Sequence, residues 1–173
     1  TEALFKYIKA STNAKLEILD LCELEGVDIE NGMFDPEHQH PKIARLQNEF
    51  IIPAKKFIFV IPEYNGSYPG ILKYFIDACS VREYQANFLD KRAFLIGIST
   101  GRAGNLRGLD HLTSVLNYLH THVHPLRLPI SKVTSIFDRE NVELKDPELL
   151  DLLQKHLIPF VSNPVPYSKT QLS

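Results

Sequence analysis

The sequence predicts an α/β fold in which helices cover both faces of a parallel β-sheet. Short apolar runs at 57–61 and 94–98 are rich in β-branched and aromatic residues, as strands buried on both faces are. Segments with apolar residues three and four positions apart separate these runs, which is the spacing of amphipathic helices. Strands that alternate with helices form parallel sheets through right-handed crossovers.

The predicted elements of the first half of the chain alternate between helix and strand. An apolar stripe at 4–8 predicts a short helix, and the leucine- and isoleucine-rich segment 16–21 predicts a strand. Turn-forming residues follow at 31–36. A helix is predicted over 41–50, opened by a proline, and the next strand is the run at 57–61.

The second half continues the same alternation. Apolar residues at helical spacing predict a helix over 69–79, and a second buried strand follows at 94–98. A long amphipathic helix is predicted over 109–119 and a short strand over 133–137. Asp146 and the proline after it have the residue types of a helix N-cap and first turn, so a final leucine-rich helix is predicted from there.

Composition restricts the function classes. The chain has 173 residues, of which 44% are hydrophobic and 23% charged, as in a single soluble globular domain. A formal net charge of −2 gives no sign of a basic surface for nucleic acid, and the longest apolar runs are too short to cross a membrane. Cys22 and Cys79 have no CxxC spacing, which favours reduced thiols in a cytoplasmic protein over a disulfide framework or a zinc site.

Two loops are the candidate binding site, because each follows a buried strand. In open α/β sheets, ligands bind beyond the carboxyl ends of the strands. The loop at 62–70 and the loop at 99–105 both contain glycine and small polar residues, which let backbone N–H groups approach a ligand. A short glycine-containing loop is also common as a plain turn, so the second loop alone decides nothing.

Both loops carry a family resemblance. Residues 62–73 (Pro-Glu-Tyr-Asn-Gly-Ser-Tyr-Pro-Gly-Ile-Leu-Lys), with Asp77 after them, resemble the signature of the NADPH-dependent FMN reductase family. Residues 97–107 (Gly-Ile-Ser-Thr-Gly-Arg-Ala-Gly-Asn-Leu-Arg) resemble its second flavin loop. The resemblance implies a flavodoxin-like three-layer α/β/α sandwich, which forms one FMN-binding domain over 1–162 followed by a flexible tail at 163–173.

The resemblance also implies a function. The chain would be an NAD(P)H-dependent oxidoreductase that passes electrons from NADPH or NADH through bound FMN to a small acceptor, such as free flavin, a quinone, an azo compound or a metal oxyanion. It would act in the cytoplasm as a homodimer or homotetramer, with the flavin near a subunit boundary and no nucleic-acid or membrane partner. In such enzymes the flavin performs the hydride chemistry, so we expect no catalytic side chain and no metal.

The predicted cofactor-binding residues lie in the two loops. Backbone amides near Asn65 and Gly66 are expected at the N5–O4 edge of the flavin, with the Tyr64 ring beside the isoalloxazine. The second loop is expected at the N1–O2 edge, where reduction places negative charge and where Arg102 would raise the midpoint potential. The full set is Pro62, Glu63, Tyr64, Asn65, Gly66, Ser67, Ser99, Thr100, Gly101, Arg102 and Gly104.

One part of the family pattern has no counterpart in the sequence. The family begins with a strand and a Gly-Ser-x-Arg-type loop that wraps the FMN phosphate, whereas this sequence begins inside the helix that follows. We therefore expect roughly 15 further residues before Thr1, enough for one strand and a short loop. That strand would lie between those at 16–21 and 57–61, and both would have unpaired edges without it.

Several alternatives stay open at this stage. His120, His122 and His124 would share a face on an extended segment and could bind a metal there, although such runs are often only exposed. Glu63 is a general base, a residue that orients its loop, or one that reaches a neighbouring subunit. The chain could also be a flavodoxin-like electron carrier, against which its weak net charge argues, or a non-catalytic FMN-binding domain. A third alternative is a non-catalytic interaction domain.

Overall fold

The computed structural model describes residues 1–24, 35–138 and 140–164. Their centre is a four-stranded parallel sheet of β1 (Lys56–Pro62), β2 (Arg92–Ile98), β3 (His122–Val123) and β4 (Leu128–Ile130). β1 pairs with β2 along its whole length, while β3 pairs with the start of β2 and β4 with its end. The strands predicted at 57–61 and 94–98 are confirmed.

Helices cover both faces of this sheet, as the alternating pattern predicts. The chain contains α1 (Glu2–Ser11), α2 (Pro41–Leu46), a π-helical turn (Gln47–Ile51), α3 (Gly70–Cys79), α4 (Tyr84–Phe88), α5 (Leu106–Tyr118), α6 (Val133–Ile136), α7 (Pro147–Leu152), a second π-helical turn (Leu153–Leu157) and α8 (Ile158–Ser162). Short 3-10 turns occupy Leu21–Leu24 and Pro36–His38. α2, α3 and α5 contribute to the core on one face, and α1, α7 and α8 to the core on the other.

The two cores meet at β2, whose side chains alternate between them. Ala93 and Leu95 belong to the core formed with α3 and α5, and both are fully buried. Phe94 and Ile96 belong to the core formed with the terminal helices. A strand with apolar neighbours on both faces needs a continuous apolar run, which is why the sequence pattern identified β2 so clearly.

Two polar side chains anchor the last helices. The Asp146 carboxylate accepts hydrogen bonds from the backbone N–H groups of Glu148 and Leu149, so the predicted N-cap is confirmed. The Lys56 ammonium donates to the carbonyls of Phe160 and Val161, both at 2.7 Å, near the end of α8. The first pair of bonds caps the start of α7, and the second joins the end of α8 to β1.

The strand predicted at 16–21 is wrong. The backbone of this segment forms no strand and leads into the 3-10 turn that begins at Leu21. The segment and β1 lie on the lining of one groove of about 1490 Å³, and no backbone pairing joins them. Apolar residues thus line the groove, but a backbone without a neighbour in hydrogen-bonding range forms no ladder.

The strand predicted at 133–137 is also wrong. Its first four residues form the single helical turn α6, which follows Lys132 in the left-handed region at φ 48°. The backbone N–H groups of Lys132 and Val133 donate to the carbonyls of Gly101 and Ser99, so this segment supports the loop after β2. The sheet strand is instead β4, and β5 (Phe137–Asp138) pairs antiparallel with β6 (Glu143–Leu144).

Two further predictions fall partly outside the described residues. These are the turn-forming residues at 31–34 and the tail, of which the structure describes only Asn163 and Pro164. Of the helices that the structure describes, none is both long enough and apolar enough to cross a membrane.

Candidate functional site

The first loop is a tight turn directly after β1. Tyr64 and Ser67 exchange two backbone hydrogen bonds of 2.9 Å, and the two residues between them, Asn65 and Gly66, have φ values of 50° and 75°. Two central residues with positive φ define a type I′ turn, for which Asn-Gly is the favoured sequence. The backbone N–H of Glu63 continues the ladder to the carbonyl of Ile98. The turn is therefore held rigidly at the end of the sheet.

The second loop is folded closely over the ends of β2 and β4. The Ser99 hydroxyl accepts a hydrogen bond from the Gly104 N–H at 2.9 Å and donates to the Gly101 carbonyl at 3.2 Å. A Cβ on Gly97 would lie 2.3 Å from the Gly104 carbonyl oxygen, and one on Gly104 would lie 2.7 Å from the Ile130 nitrogen. Glycine at both positions is what allows the loop to lie against the strands.

The two loops border one cavity of about 440 Å³ beyond the carboxyl ends of β1 and β2. This volume lies in the range of small-molecule sites. The residues that line it are Pro62, Glu63, Asn65, Gly66, Ile98, Ser99, Thr100, Gly101 and Val133. The structure thus brings most of the predicted site residues around a single cavity.

Four predicted site residues do not line this cavity. Tyr64 is 62% exposed and lines the groove beside β1. The Ser67 hydroxyl is 2.9 Å from Nδ1 of His111 on α5, and Arg102 is exposed at the tip of its loop. Gly104 is buried beneath the loop, where its N–H is bound to Ser99.

Three residues near the cavity escaped the sequence analysis. Ile98 is the last residue of β2, and its place at a strand end was a usable signal. Val133 reaches the cavity through the turn after β4, which no local pattern indicates. Asn105 is 1% exposed and donates from Nδ2 to the carbonyls of Ile61 and Pro62, a connection that only the tertiary structure creates.

In the segments that the structure describes, residues with unbonded backbone N–H groups line both sides of the cavity. Within the described part of the chain, the N–H groups of Asn65 and Gly66 on one rim and of Thr100 and Gly101 on the other have no acceptor. Gly101 also leaves open space where a side chain would stand. Unpaired donors on two facing rims suit a flat ligand with carbonyl and ring-nitrogen acceptors at its edges, which describes the isoalloxazine of a flavin.

The histidine run offers no competing site in the described residues. Nε2 of His122 lies 3.5 Å from an Asp90 carboxylate oxygen, whereas the His124 ring lies 4.9 Å from the ring of Phe94 in the core beside α8. No three potential metal ligands come together in segments 1–24, 35–138 and 140–164. The histidines therefore have separate surroundings.

Comparison with known proteins decides the family. A family model for NADPH-dependent FMN reductases matches residues 1–134. The chain belongs to this family. It is similar to an NAD(P)H-dependent FMN reductase of Pseudomonas aeruginosa, with 33% identity over 142 residues that make up 80% of this chain and 74% of that enzyme. A 2-hydroxy-1,4-benzoquinone reductase of a Burkholderia species is 32% identical over 100 residues, which are 58% of this chain and 54% of that enzyme.

Solved structures show the same fold. FerB, a flavoenzyme NAD(P)H:(acceptor) oxidoreductase from Paracoccus denitrificans, has a TM-score of 0.69 at 22% identity, covering 92% of this chain and 86% of that one. The NADH:FMN oxidoreductase EMOB in its apo form has a TM-score of 0.63 at 17% identity, covering 95% and 84%. The predicted flavodoxin-like α/β fold is confirmed. As a family member the chain is an oxidoreductase whose cofactor is FMN and whose electron donor is NAD(P)H.

Proposed function

We propose that this chain passes electrons from NAD(P)H to a small quinone-type acceptor, with FMN held between the two cavity loops. The observation that carries the proposal is the pair of rims with unpaired backbone N–H groups around a cavity of about 440 Å³. FMN supplies the two-electron chemistry when bound, so the chain has to bind and orient the reactants. A quinone is chosen because one relative of this chain is a benzoquinone reductase.

The loops contribute fixed hydrogen-bond donors in this proposal. The amides of Asn65 and Gly66 would hold one edge of the ring, and those of Thr100 and Gly101 would stabilise the edge that becomes negative on reduction, since all four residues line the cavity. The turn bonds between Tyr64 and Ser67 hold the first set in place before the ligand arrives. Donors that need no reorganisation stabilise developing charge more effectively than mobile ones.

Assembly and location are part of the same proposal. We propose a homodimer or homotetramer in the cytoplasm, because Tyr64, Ile71 and Leu106 expose large apolar side chains by 62%, 41% and 48%. All three stand in the loop or at the helix starts that follow β1 and β2. Both cysteines are free thiols, which suits a reducing compartment. Light scattering of the purified protein measures the assembly, and a monomer at micromolar concentration would contradict it.

The test of the function uses the purified protein loaded with FMN. We expect the protein to quench FMN fluorescence and to oxidise NADPH faster with benzoquinone than with an azo dye or chromate. Gly101→Val fills the open space at the second rim, so we expect weaker FMN binding and slower turnover. Gly70→Val is the control, because Gly70 also has open space around it but stands at the start of α3, where it lines the groove beside β1 and not the cavity.

Two results would contradict the proposal. One is FMN fluorescence that stays unchanged when the protein is added at micromolar concentration, which would show that the cavity does not bind the cofactor. The other is equal loss of FMN binding in the Gly101 and Gly70 variants, which would show that the cavity has no particular role. A faster reaction with chromate or the azo dye would still support the flavin site, but it would show that the acceptor is not a quinone.

A further inference from the structure

Asn105 uses its side chain in an unusual way for its position. It occupies the N-cap position of α5, where an asparagine normally accepts a hydrogen bond from the first turn of the helix, yet it makes no side-chain cap bond. Its Nδ2 instead donates to the carbonyls of Ile61 at 3.2 Å and Pro62 at 2.9 Å. The amide therefore joins the end of the second loop to the start of the first.

The surroundings are shaped to admit this amide. Asn105 has φ 62° and ψ 32°, a left-handed conformation that asparagine tolerates better than most residues. A Cβ on Gly108 would lie 2.1 Å from Oδ1 of Asn105, and one on Gly97 would lie 3.1 Å from its Cβ. The glycines on α5 and β2 thus leave the room that the side chain occupies.

The two polar atoms of the Asn105 amide differ in their hydrogen bonding. Oδ1 is buried and has no hydrogen-bond partner in the described part of the chain. A buried acceptor without a partner lowers the stability of the fold, and so does the missing side-chain cap at the start of α5. The contacts with a partner are those of Nδ2 to the two carbonyls that begin the first loop.

We propose that Asn105 is a positioning residue of the flavin site, which fixes the spacing between the two rims of the cavity. The inference rests on the proposed function, because it supposes that FMN is held between these rims. Pro62, whose carbonyl accepts a hydrogen bond from Asn105, itself lines the cavity. Asn105 directly follows Gly104 at the end of the second loop. The amide adds a second connection between the two rims to the ladder bond from Glu63 to Ile98, and without it the end of the second loop would be free to move relative to the first.

The experiment compares two substitutions in the full chain. Asn105→Gly keeps the left-handed backbone and removes the carboxamide. We expect it to weaken FMN binding about tenfold, because the two rims are then less well ordered before the ligand binds, and to lower the midpoint potential measured with FMN fully bound. A tenfold loss of preference for reduced over oxidised flavin corresponds to about 30 mV.

Asn105→Asp supplies a readout that a purely structural role would not produce. An ionised carboxylate would face the carbonyls of Ile61 and Pro62 and repel them, so FMN binding is weaker than in the parent. A protonated carboxyl can donate to one of these carbonyls, and burial raises its pKa. We therefore expect FMN affinity, relative to the parent at the same pH, to recover as the pH falls from about 8 to about 5.

Asn87→Ala is the matched control, because Asn87 is a buried asparagine whose Nδ2 also donates to backbone carbonyls, those of Cys79, Arg82 and Glu83. It lies in α4, outside the cavity lining, so it should lower stability without changing FMN affinity or potential. An Asn105→Gly variant with the parent's affinity and potential would overturn the inference and leave the proposed function intact. Failure of both Asn105 variants to fold would also overturn it, and failure of the parent to bind FMN would overturn the proposed function as well.

Discussion

Replacing Gly97 with alanine is the sharpest test of how the second loop rests on β2. The added Cβ would stand 2.3 Å from the carbonyl oxygen of Gly104, closer than any normal contact. It would also stand 3.1 Å from Asn105 Cβ and from Leu109 Cδ1. Since the closest atom belongs to the backbone, no side-chain rotation relieves the clash, and the loop has to rise from the strand.

The size of the effect follows from the cost of overpacking. Forcing an extra carbon into a close-packed site costs about 1–3 kcal/mol. For a chain of this length, 1 kcal/mol shifts the melting temperature by about 2–4 °C, so a cost near 2 kcal/mol lowers it by about 4–8 °C. Raising the loop also displaces Thr100 and Gly101, so FMN binding should weaken in parallel.

The measurement is thermal unfolding followed by circular dichroism, with Gly101→Ala as control. Gly101 lies in the same loop, but its Cβ position is open and its φ is not left-handed. The control should change stability by no more than about 0.5 kcal/mol. Both variants lose the same glycine freedom in the unfolded chain, so the difference between them reports the contact. Melting temperatures within about 1 °C of each other would refute the close approach of loop and strand.

Two further predictions concern charged side chains. Because Arg102 is exposed, Arg102→Ala should lower the flavin's midpoint potential at low salt but not at about 1 M salt, where the screening length is about 3 Å. Dye-coupled reduction measures the potential, and a shift that does not depend on salt would refute an electrostatic role. Burial lowers the pKa of Lys91, whose ammonium donates to the carbonyls of Ile51 and Ile52, to about 8. Between about pH 8 and 10.5 the unfolded chain then binds more protons than the folded chain, so the free energy of unfolding of the parent, relative to that of Lys91→Met, should rise with pH. Urea titrations measure both free energies, and a difference between them that does not change with pH would contradict the lowered pKa.

Local patterns in the sequence were sufficient wherever burial and hydrogen bonding are local. The apolar run of β2, the 3.6-residue spacing of α5 and the Asp146 cap each depend on neighbours within a few residues, and each was predicted correctly. The Asn65-Gly66 turn is of the same kind, because two positive φ values demand those residue types. These elements place both loops at the carboxyl ends of their strands, which is as much of the site as the sequence could locate.

The sequence by itself determined the parallel α/β fold, the family and the two loops of the candidate site, because each is encoded in short patterns of apolar, glycine and turn residues. The tertiary structure alone decided that 16–21 is not a strand, since a strand exists only where a partner backbone lies within hydrogen-bonding range. It also decided that 133–136 is a helical turn, whose start is bonded to the loop after β2. Only the tertiary structure shows that the Asn105 side chain donates to the carbonyls of Ile61 and Pro62 and does not cap its own helix. That bond joins residues more than 40 positions apart, and no local pattern can show which distant carbonyl a buried amide will meet.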